Sequence, residues 1–288
     1  MIWVVVAIFA GAFAYAILFL RARKRKSSLP PTVRVEYWIY SAKPGRPSDT
    51  ELLKRLTAEN PHNRPGDSPI GPAEGLTLSD IRFHIGVALK ESNRTLFRPD
   101  LMCEPDANPS AEAIAGLAEA NTMVRIQYIS ESATQNRGYL TFVNHAADTM
   151  SFLVDGKCIF DLECQRFLLK DELFRLLGEQ KDGISFDQNV VVRWVETVES
   201  GTAHTRGMAK AGLPDLIFGP VPLDLRTLAC HLVEEAGRNA WQSGALETTQ
   251  ISAFSESFRV TFGPIRTAGT HRGKVCDIGA GRILGSGS

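Results

Sequence analysis

The amino-acid sequence predicts an α+β fold, with a mixed or mostly antiparallel sheet and packed helices, preceded by one N-terminal transmembrane helix. Three observations lead to this prediction. The chain begins with an uncharged run, Met1–Leu20, followed directly by basic residues. Strand-like and helix-like segments then alternate irregularly, which is typical of α+β proteins. Near the end, Leu223–Ser243 repeats apolar residues with the spacing of one buried helical face.

The start of the chain has the pattern of a membrane span that is followed by a stop-transfer signal of basic residues. Ile2–Leu20 carries no charged residue, and a bilayer core needs roughly 20 such residues in a helix. Five basic residues follow, namely Arg21, Arg23, Lys24, Arg25 and Lys26. Lys and Arg beside a span stay in the cytoplasm, whereas a cleaved secretory signal carries them before its apolar run. We therefore expect an uncleaved single span in the inner membrane, with the N-terminus outside and the soluble domain in the cytoplasm.

The segments that follow are assigned from alternation, helix caps and turn residues. Val33–Tyr40 alternates and is rich in β-branched and aromatic residues, which predicts a strand. Ser79–Glu91 fits a helix or a strand. Caps and composition predict helices over 49–57 and 110–120, and long loops over 60–75 and 93–108.

The second half is more regular. Its predicted strands are 122–129, 139–143, 157–161, 189–199, 257–262 and 274–278, with 213–218 extended. Its predicted helices are 144–154, 170–178 and 223–243. We divide the chain into an anchor over 1–26, an N-terminal α+β subdomain with long loops over 27–120, and a C-terminal α+β domain over 121–288.

Net charge excludes one class of partner. The chain has 32 basic and 32 acidic residues, but five of the basic residues lie in the first 26 positions. The remainder therefore has 27 basic against 32 acidic side chains, a formal net charge of −5. Because nucleic-acid binding needs concentrated Lys and Arg, we expect no nucleic-acid partner.

The cysteines and histidines show no metal or cofactor signature. The five cysteines are scattered without a CxxC pair, which disfavours zinc and disulfide frameworks. The six histidines lack the spacing of known metal motifs, and no glycine-rich phosphate loop precedes a helix. We therefore expect no metal and no cofactor.

The densest polar segment is His204-Thr-Arg-Gly-Met-Ala-Lys-Ala-Gly-Leu-Pro-Asp215. His204, Arg206 and Asp215 are its candidate catalytic residues, with His204 as acid or base and Arg206 as an anion clamp. The alternative is a structured connector, in which Gly207 and Gly212 form turns and the polar side chains satisfy backbone groups. The sequence leaves both interpretations open.

Three further residues are candidate binding residues. His145 stands at the start of a predicted helix, where it either caps the helix or faces a pocket. Asp161 ends a short predicted strand, and His231 lies within the strongest amphipathic helix.

Several short motifs resemble a group of uncharacterised bacterial proteins that are counted among the domains of unknown function. The similar stretches are His145-Ala-Ala-Asp-Thr-Met150, Lys157-Cys-Ile-Phe-Asp161, Lys170-Asp-Glu-Leu173 and the segment from His204 to Asp215. The resemblance covers about residues 120–245 and does not include the N-terminal span. It implies an α+β fold and brings no catalytic role.

Two functional hypotheses follow from the sequence. The first is a membrane-anchored cytoplasmic domain of adaptor or immunity type, which binds a protein partner and is attached to the membrane through Met1–Leu20. The second is a hydrolase-like enzyme that uses His204, Arg206 and Asp215. The enzyme hypothesis predicts that these three side chains meet in one concave pocket.

Overall fold

The computed structural model of the chain describes residues 32–104, 107–131, 136–179, 184–267 and 274–283. Its strands are β1 (Val33–Ser41), β2 (Phe83–Leu89), β3 (Thr122–Ser130), β4 (Gly156–Asp161), β5 (Arg166–Leu168), β6 (Val191–Glu196), β7 (Ser200–Arg206), β8 (Asp215–Pro222), β9 (Thr249–Ala253), β10 (Glu256–Thr267) and β11 (Lys274–Arg282). Its α-helices are α1 (Asp49–Leu56), α2 (Pro72–Gly75), α3 (Pro99–Met102), α4 (Ala111–Glu119), α5 (Gly138–Leu153), α6 (Lys170–Glu179), α7 (Phe186–Asn189) and α8 (Arg226–Ser243). Two sheets with packed helices result, which confirms the α+β prediction.

The first sheet has the strand order β2-β3-β1-β4-β5, and all of its neighbouring strands are antiparallel. The central strand β1 is covered on both faces. Tyr37 and Ile39 point into the core that contains α5, whereas Trp38 and Tyr40 point into a second core beneath α4. A strand buried on both faces needs apolar residues at nearly every position. This explains the dense aromatic and β-branched pattern of the strand predicted over Val33–Tyr40.

The second sheet is mixed, with the strand order β6-β7-β8-β11-β10-β9. Strands β8 and β11 run parallel, and the other neighbouring pairs are antiparallel. Helix α8 covers one face, where Leu232 and Ala236 pack in one core with Leu216 and Val260. The three-and-four spacing of this helix therefore reflects its packing on the second sheet, while Ala240 and Trp241 near its end belong to the core of the first sheet.

The strand predicted over Tyr139–Val143 is wrong, because these residues form the first turns of α5. Tyr139, Phe142 and Val143 favour strands by intrinsic propensity. However, they are all buried in the same core as Met150 from the end of this helix. The tertiary packing of a helix enclosed on all sides overrides local preference here.

The ambiguous segment Ser79–Glu91 is a strand in its central part. The 3-10 turn Leu76–Ser79 precedes it, and β2 follows at one edge of the first sheet. Phe83 and Ile85 of β2 pack toward the core, whereas His84 between them is exposed. The period of two residues therefore decides between the two predicted structures.

The first sheet combines strands from both sides of residue 120. Strands β1 and β2 come from the 27–120 segment, and β3, β4 and β5 come from the 121–288 segment. The proposed division thus falls within one hydrogen-bonded layer. Residues 33–168 supply the first sheet, and residues 191–282 supply the second.

The predicted membrane span, Met1–Leu20, and the basic residues after it lie outside the described residues. Among the helices that the structure describes, none is both long and apolar enough to cross a bilayer.

Candidate functional site

The segment from His204 to Asp215 connects β7 to β8 and packs against the first sheet. Gly207 and Gly212 both adopt left-handed backbone conformations, with φ of 111° and 73°. Between them lies the 3-10 turn Met208–Ala211, and Met208 is buried in the core of the first sheet. The connector is therefore one place where the second sheet joins the first.

The space beside the Gly207 Cα atom is too small for any side chain. A Cβ atom at this position would lie 2.2 Å from the Asn189 carbonyl oxygen and 2.8 Å from the Cys164 Sγ. Both contacts are shorter than real Cβ atoms tolerate. Glycine is required here for its positive φ and for the close approach of the backbone to Asn189.

Lys210 is the centre of the joint, and its side chain is fully buried. Its Nζ atom lies 2.7 Å from Asp161 Oδ2 and donates a hydrogen bond to the Tyr37 hydroxyl at 3.0 Å. Arg166 Nη2 lies 3.4 Å from the same carboxylate oxygen. The connector thus brings a cation from the second sheet onto an anion at the end of β4.

Both members of this pair stay charged. Burial alone would lower the pKa of Lys210, but Asp161 raises it above its ordinary value. Burial alone would raise the pKa of Asp161, but Lys210 and Arg166 lower it. A lysine that stays protonated is not available as a nucleophile or a base. The geometry therefore suits a permanent ion pair.

A chain of hydrogen-bonded polar side chains runs from Lys210 through β1 and α5 to α7. The Tyr37 hydroxyl accepts from Lys210 and donates to Asn144 Oδ1 at 2.8 Å. Asn144 Nδ2 donates to Asn189 Oδ1 at 3.0 Å, and Asn189 Nδ2 donates to the Ser185 carbonyl oxygen at 3.0 Å. Buried networks in which successive members are bonded rigidify a core.

Ten charged side chains meet around this joint, and we call them the junction cluster. They are Arg34, Glu36, Glu104, Asp161, Glu163, Arg166, Arg193, Arg206, Lys210 and Asp215. Five are acidic and five are basic, so their formal charges cancel. Arg193 donates from the second sheet to the Cys164 and Gln165 carbonyl oxygens of the β4–β5 turn.

The three candidate catalytic residues all lie in this part of the protein, and all three are buried. His204 lies in β7, opposite Arg193 of β6 and Ile217 of β8. Arg206 forms an ion pair with Glu104. None of them extends from the surface into open space.

Asp215 holds the connector in shape. Its Oδ1 atom accepts from Thr205 Oγ1 at 3.2 Å and from the Met208 backbone N–H at 3.1 Å. The Thr205 hydroxyl oxygen in turn accepts from the Leu216 N–H at 2.8 Å. Burial raises the pKa of Asp215 to about 7, although the Met208 N–H and Arg206 act in the opposite direction. These contacts match the structured-connector alternative.

The candidate binding residues occupy three separate places. Asp161 belongs to the junction cluster. His145 is buried in α5, where its ring packs against that of His62 with 5.2 Å between centroids. His231 lies in α8 over the second sheet, with Nε2 3.3 Å from the Ser252 carbonyl oxygen. They do not form one site.

His145 belongs to a second buried polar group. His62 Nε2 lies 3.5 Å from Asp148 Oδ2, and Asp148 is one turn along α5 from His145. The Phe174 ring covers His62 at 4.7 Å between centroids. In the described parts of the chain, no three His, Cys, Asp or Glu side chains are placed to hold a metal ion.

The cysteines are free thiols. Burial raises the pKa of Cys158 and that of Cys164 to about 12. A thiol with so high a pKa is protonated at neutral pH and is a poor nucleophile.

Sequence reasoning missed most of the junction cluster. No pattern in the sequence marks Glu104, or Tyr37 beside the cluster, since each contacts its partner from a distant part of the chain. Lys210 stands inside the selected segment between two alanines and two glycines. A single Lys among small residues in a turn was the one available signal for it.

The buried carboxyl groups predict a pH-dependent stability. Burial raises the pKa of Asp215 and that of Glu163 to about 7, whereas carboxyl groups of an unfolded chain titrate near about 4. Because the folded state binds more protons between these values, the free energy of unfolding falls as pH rises. We expect the folded part to be about 1–3 kcal/mol more stable at pH 6 than at pH 8 in denaturant titrations. Asp215→Asn should remove about half of this difference, and an unchanged difference in the variant would contradict the assignment.

Comparison of the chain with protein-family models, with curated proteins and with solved structures finds no match.

Proposed function

We propose that this chain is a membrane-anchored binding protein of adaptor or immunity type. In this proposal Met1–Leu20 spans the inner membrane with its N-terminus outside, and the folded part binds a protein partner in the cytoplasm. The observation that carries the proposal is the structural role of the junction cluster. Its central charges, on Lys210 and Asp161, are buried and bonded to one another, which suits a structural joint better than a reaction centre.

The sequence at the N-terminus supports the anchoring part of the proposal. The uncharged run is followed by five basic residues, and β1 begins at Val33. Between Lys26 and Val33 only a short linker remains, which spans at most about 25 Å when fully extended. An anchored chain would therefore keep its folded part close to the bilayer surface.

A protease-protection experiment tests the topology. Intact spheroplasts that contain the full chain are treated with an external protease, and the folded part is detected by an antibody. The proposal predicts that it survives until the inner membrane is permeabilised, because positively charged flanks are retained in the cytoplasm. A variant with Gln at all five basic positions should show a mixed orientation. Digestion of the unaltered chain in intact spheroplasts would contradict the proposal.

The alternative is a hydrolase-like enzyme at the same segment, and one observation favours it. The pKa of Asp215 is raised to about 7, which is the range of an effective general base. A screen of ester, phosphoester and amide substrates separates the two functions. Turnover that is lost in both His204→Ala and Asp215→Asn would support the enzyme, provided that both variants keep the native circular dichroism spectrum.

A further inference from the structure

Strand β2 forms an open edge of the first sheet. It pairs with β3 on one side, and no other strand among the described residues pairs with it. The Arg82 carbonyl accepts from the Ile129 N–H, and the Lys90 N–H donates to the Asn121 carbonyl. Even-numbered residues therefore turn their backbone groups toward β3. Ile85 and Val87 turn their N–H and C=O groups outward, where another strand can pair with them.

This edge lacks the features that usually prevent pairing. Natural edge strands carry charges, proline or bulges that block the approach of another strand. The strand Phe83–Leu89 contains no charged residue and no proline, and its register with β3 is continuous. Val87 and Leu89 are 44% and 48% exposed. The edge is therefore open to strand addition and apolar on one face of the sheet.

The opposite face of the same edge carries a positive charge. Arg125 lies directly across from Gly86 in the β2–β3 pair, and it is exposed. A Cβ atom on Gly86 would lie 3.6 Å from Arg125 Nε and 3.7 Å from Nη2. The guanidinium thus extends from β3 over the glycine, since no side chain occupies that place. An added strand would meet this charge on one face and the Val87 side chain on the other.

We propose that β2 accepts an extended segment of a partner protein in which apolar and acidic side chains alternate. The segment would pair with the outward backbone groups of Ile85 and Val87, as in other cases of recognition by strand addition. Its acidic side chains would face Arg125, and its apolar ones would face Val87 and Leu89. This inference rests on the proposed binding function and assigns that function a surface and a kind of partner.

A second copy of the chain fits this edge less well. Its own β2 has no acidic residue to offer. In antiparallel self-pairing centred on Gly86, a twofold axis perpendicular to the sheet would bring two Arg125 side chains to the same face. The two guanidinium groups, each lying over the Gly86 of its own copy, would then be placed above neighbouring strands, and like charges so placed oppose pairing. Charge complementarity therefore favours a different protein, and not a second copy of this chain, as the partner of β2.

The test measures the binding of defined peptides to the full chain in detergent by fluorescence anisotropy. One labelled peptide of about eight residues, within the usual range of strand lengths, alternates valine and glutamate. A second peptide of the same length alternates valine and lysine. The glutamate peptide should bind about fivefold more tightly, the effect expected of one exposed ion pair. Arg125→Glu should reverse the preference. Equal binding of both peptides to the unaltered chain, or no binding of either, would overturn the proposal.

Two backbone variants complete the design. Val87→Pro removes an outward N–H without removing a bond to β3, and proline is tolerated at such edge positions. It should weaken the binding of both peptides at least about tenfold. Val198→Pro, in the exposed turn between β6 and β7, should leave their binding unchanged, provided that both variants keep the native circular dichroism spectrum. Self-association of the chain that Val87→Pro abolishes would instead identify a second copy as the occupant and overturn the proposal.

Failure of this inference can be told apart from failure of the binding function. A photo-crosslinking residue at position 87 and another at exposed Ile265 are compared in cells. A protein adduct at position 265 and none at 87 would overturn strand addition and leave the binding function intact. If neither these two nor further surface positions yield an adduct, the binding function fails as well.

Discussion

Replacing Lys210 by methionine is expected to lower the free energy of unfolding of the folded part by about 3–5 kcal/mol. The variant removes the ammonium group that lies 2.7 Å from Asp161 Oδ2 in a region closed to water. Asp161 would then remain buried with Arg166, at 3.4 Å, as its nearest cation and the Cys164 N–H, at 3.3 Å, as a donor to Oδ1. The Tyr37 hydroxyl would also lose its donor. The large effect thus arises from an uncompensated buried charge and not from the lost attraction alone.

Denaturant titration of the full chain in detergent, followed by tryptophan fluorescence, measures this loss. Lys54→Met is the matched control, because Lys54 also pairs with a carboxylate, Glu59, at 2.6 Å but on the exposed surface. Exposed pairs contribute at most about 1 kcal/mol. If the two substitutions lower the free energy of unfolding equally, then breaking the buried Lys210–Asp161 pair costs no more than breaking an exposed pair, and the prediction is wrong.

Replacing Gly207 by alanine is expected to cost at least about 3 kcal/mol. A positive φ costs a non-glycine residue about 1–2 kcal/mol, and the added Cβ would lie 2.2 Å from the Asn189 carbonyl oxygen. The backbone must move to relieve this contact, which would also shift Lys210 away from Asp161. The loss should therefore exceed the cost of the backbone conformation itself.

Gly244→Ala separates the cost of the positive φ from the cost of the close contact. Gly244 has a φ of 73° at the end of α8, and a Cβ atom there meets nothing within 4 Å. Its substitution should cost only the conformational part, about 1–2 kcal/mol. If Gly207→Ala lowers the free energy of unfolding no more than Gly244→Ala does, then the close contact with the Asn189 carbonyl oxygen adds no cost, and the prediction is wrong.

The elements that sequence reasoning predicted best are those whose composition or spacing matches their burial directly. Strand β1 is buried on both faces, and α8 packs mainly on the second sheet, so composition predicted the first and spacing predicted the second. Helix α5 was divided wrongly because its first turns carry strand-favouring residues. Its surroundings decide the structure there, and those surroundings come from distant parts of the chain.

The candidate site was found only in outline. The polar segment from His204 to Asp215 stood out by composition, and it does form the contact between the sheets. Its chemistry, however, depends on Asp161 and Tyr37, which lie 49 and 173 positions away from Lys210. No spacing rule links such residues. The choice between a reaction centre and a structural connector therefore required the fold.

The open edge at β2 likewise could not be predicted from the sequence alone. Alternation fitted a strand over part of Ser79–Glu91, but only the sheet order reveals that the strand lies at an edge. The position of Arg125 over Gly86 likewise depends on the pairing register. A glycine inside a strand was a signal for close approach of another group.

The central claim is that Lys210 and Asp161 form a structural joint between the two sheets. A double-mutant cycle measures it most directly, with Lys210→Met, Asp161→Leu and the combined variant compared by denaturant titration in detergent. We predict that each single substitution costs about 3–5 kcal/mol and that the combined variant costs clearly less than their sum, with a coupling energy of at least about 2 kcal/mol. A coupling energy near zero would show that the two side chains contribute independently, and the account of the joint would be contradicted.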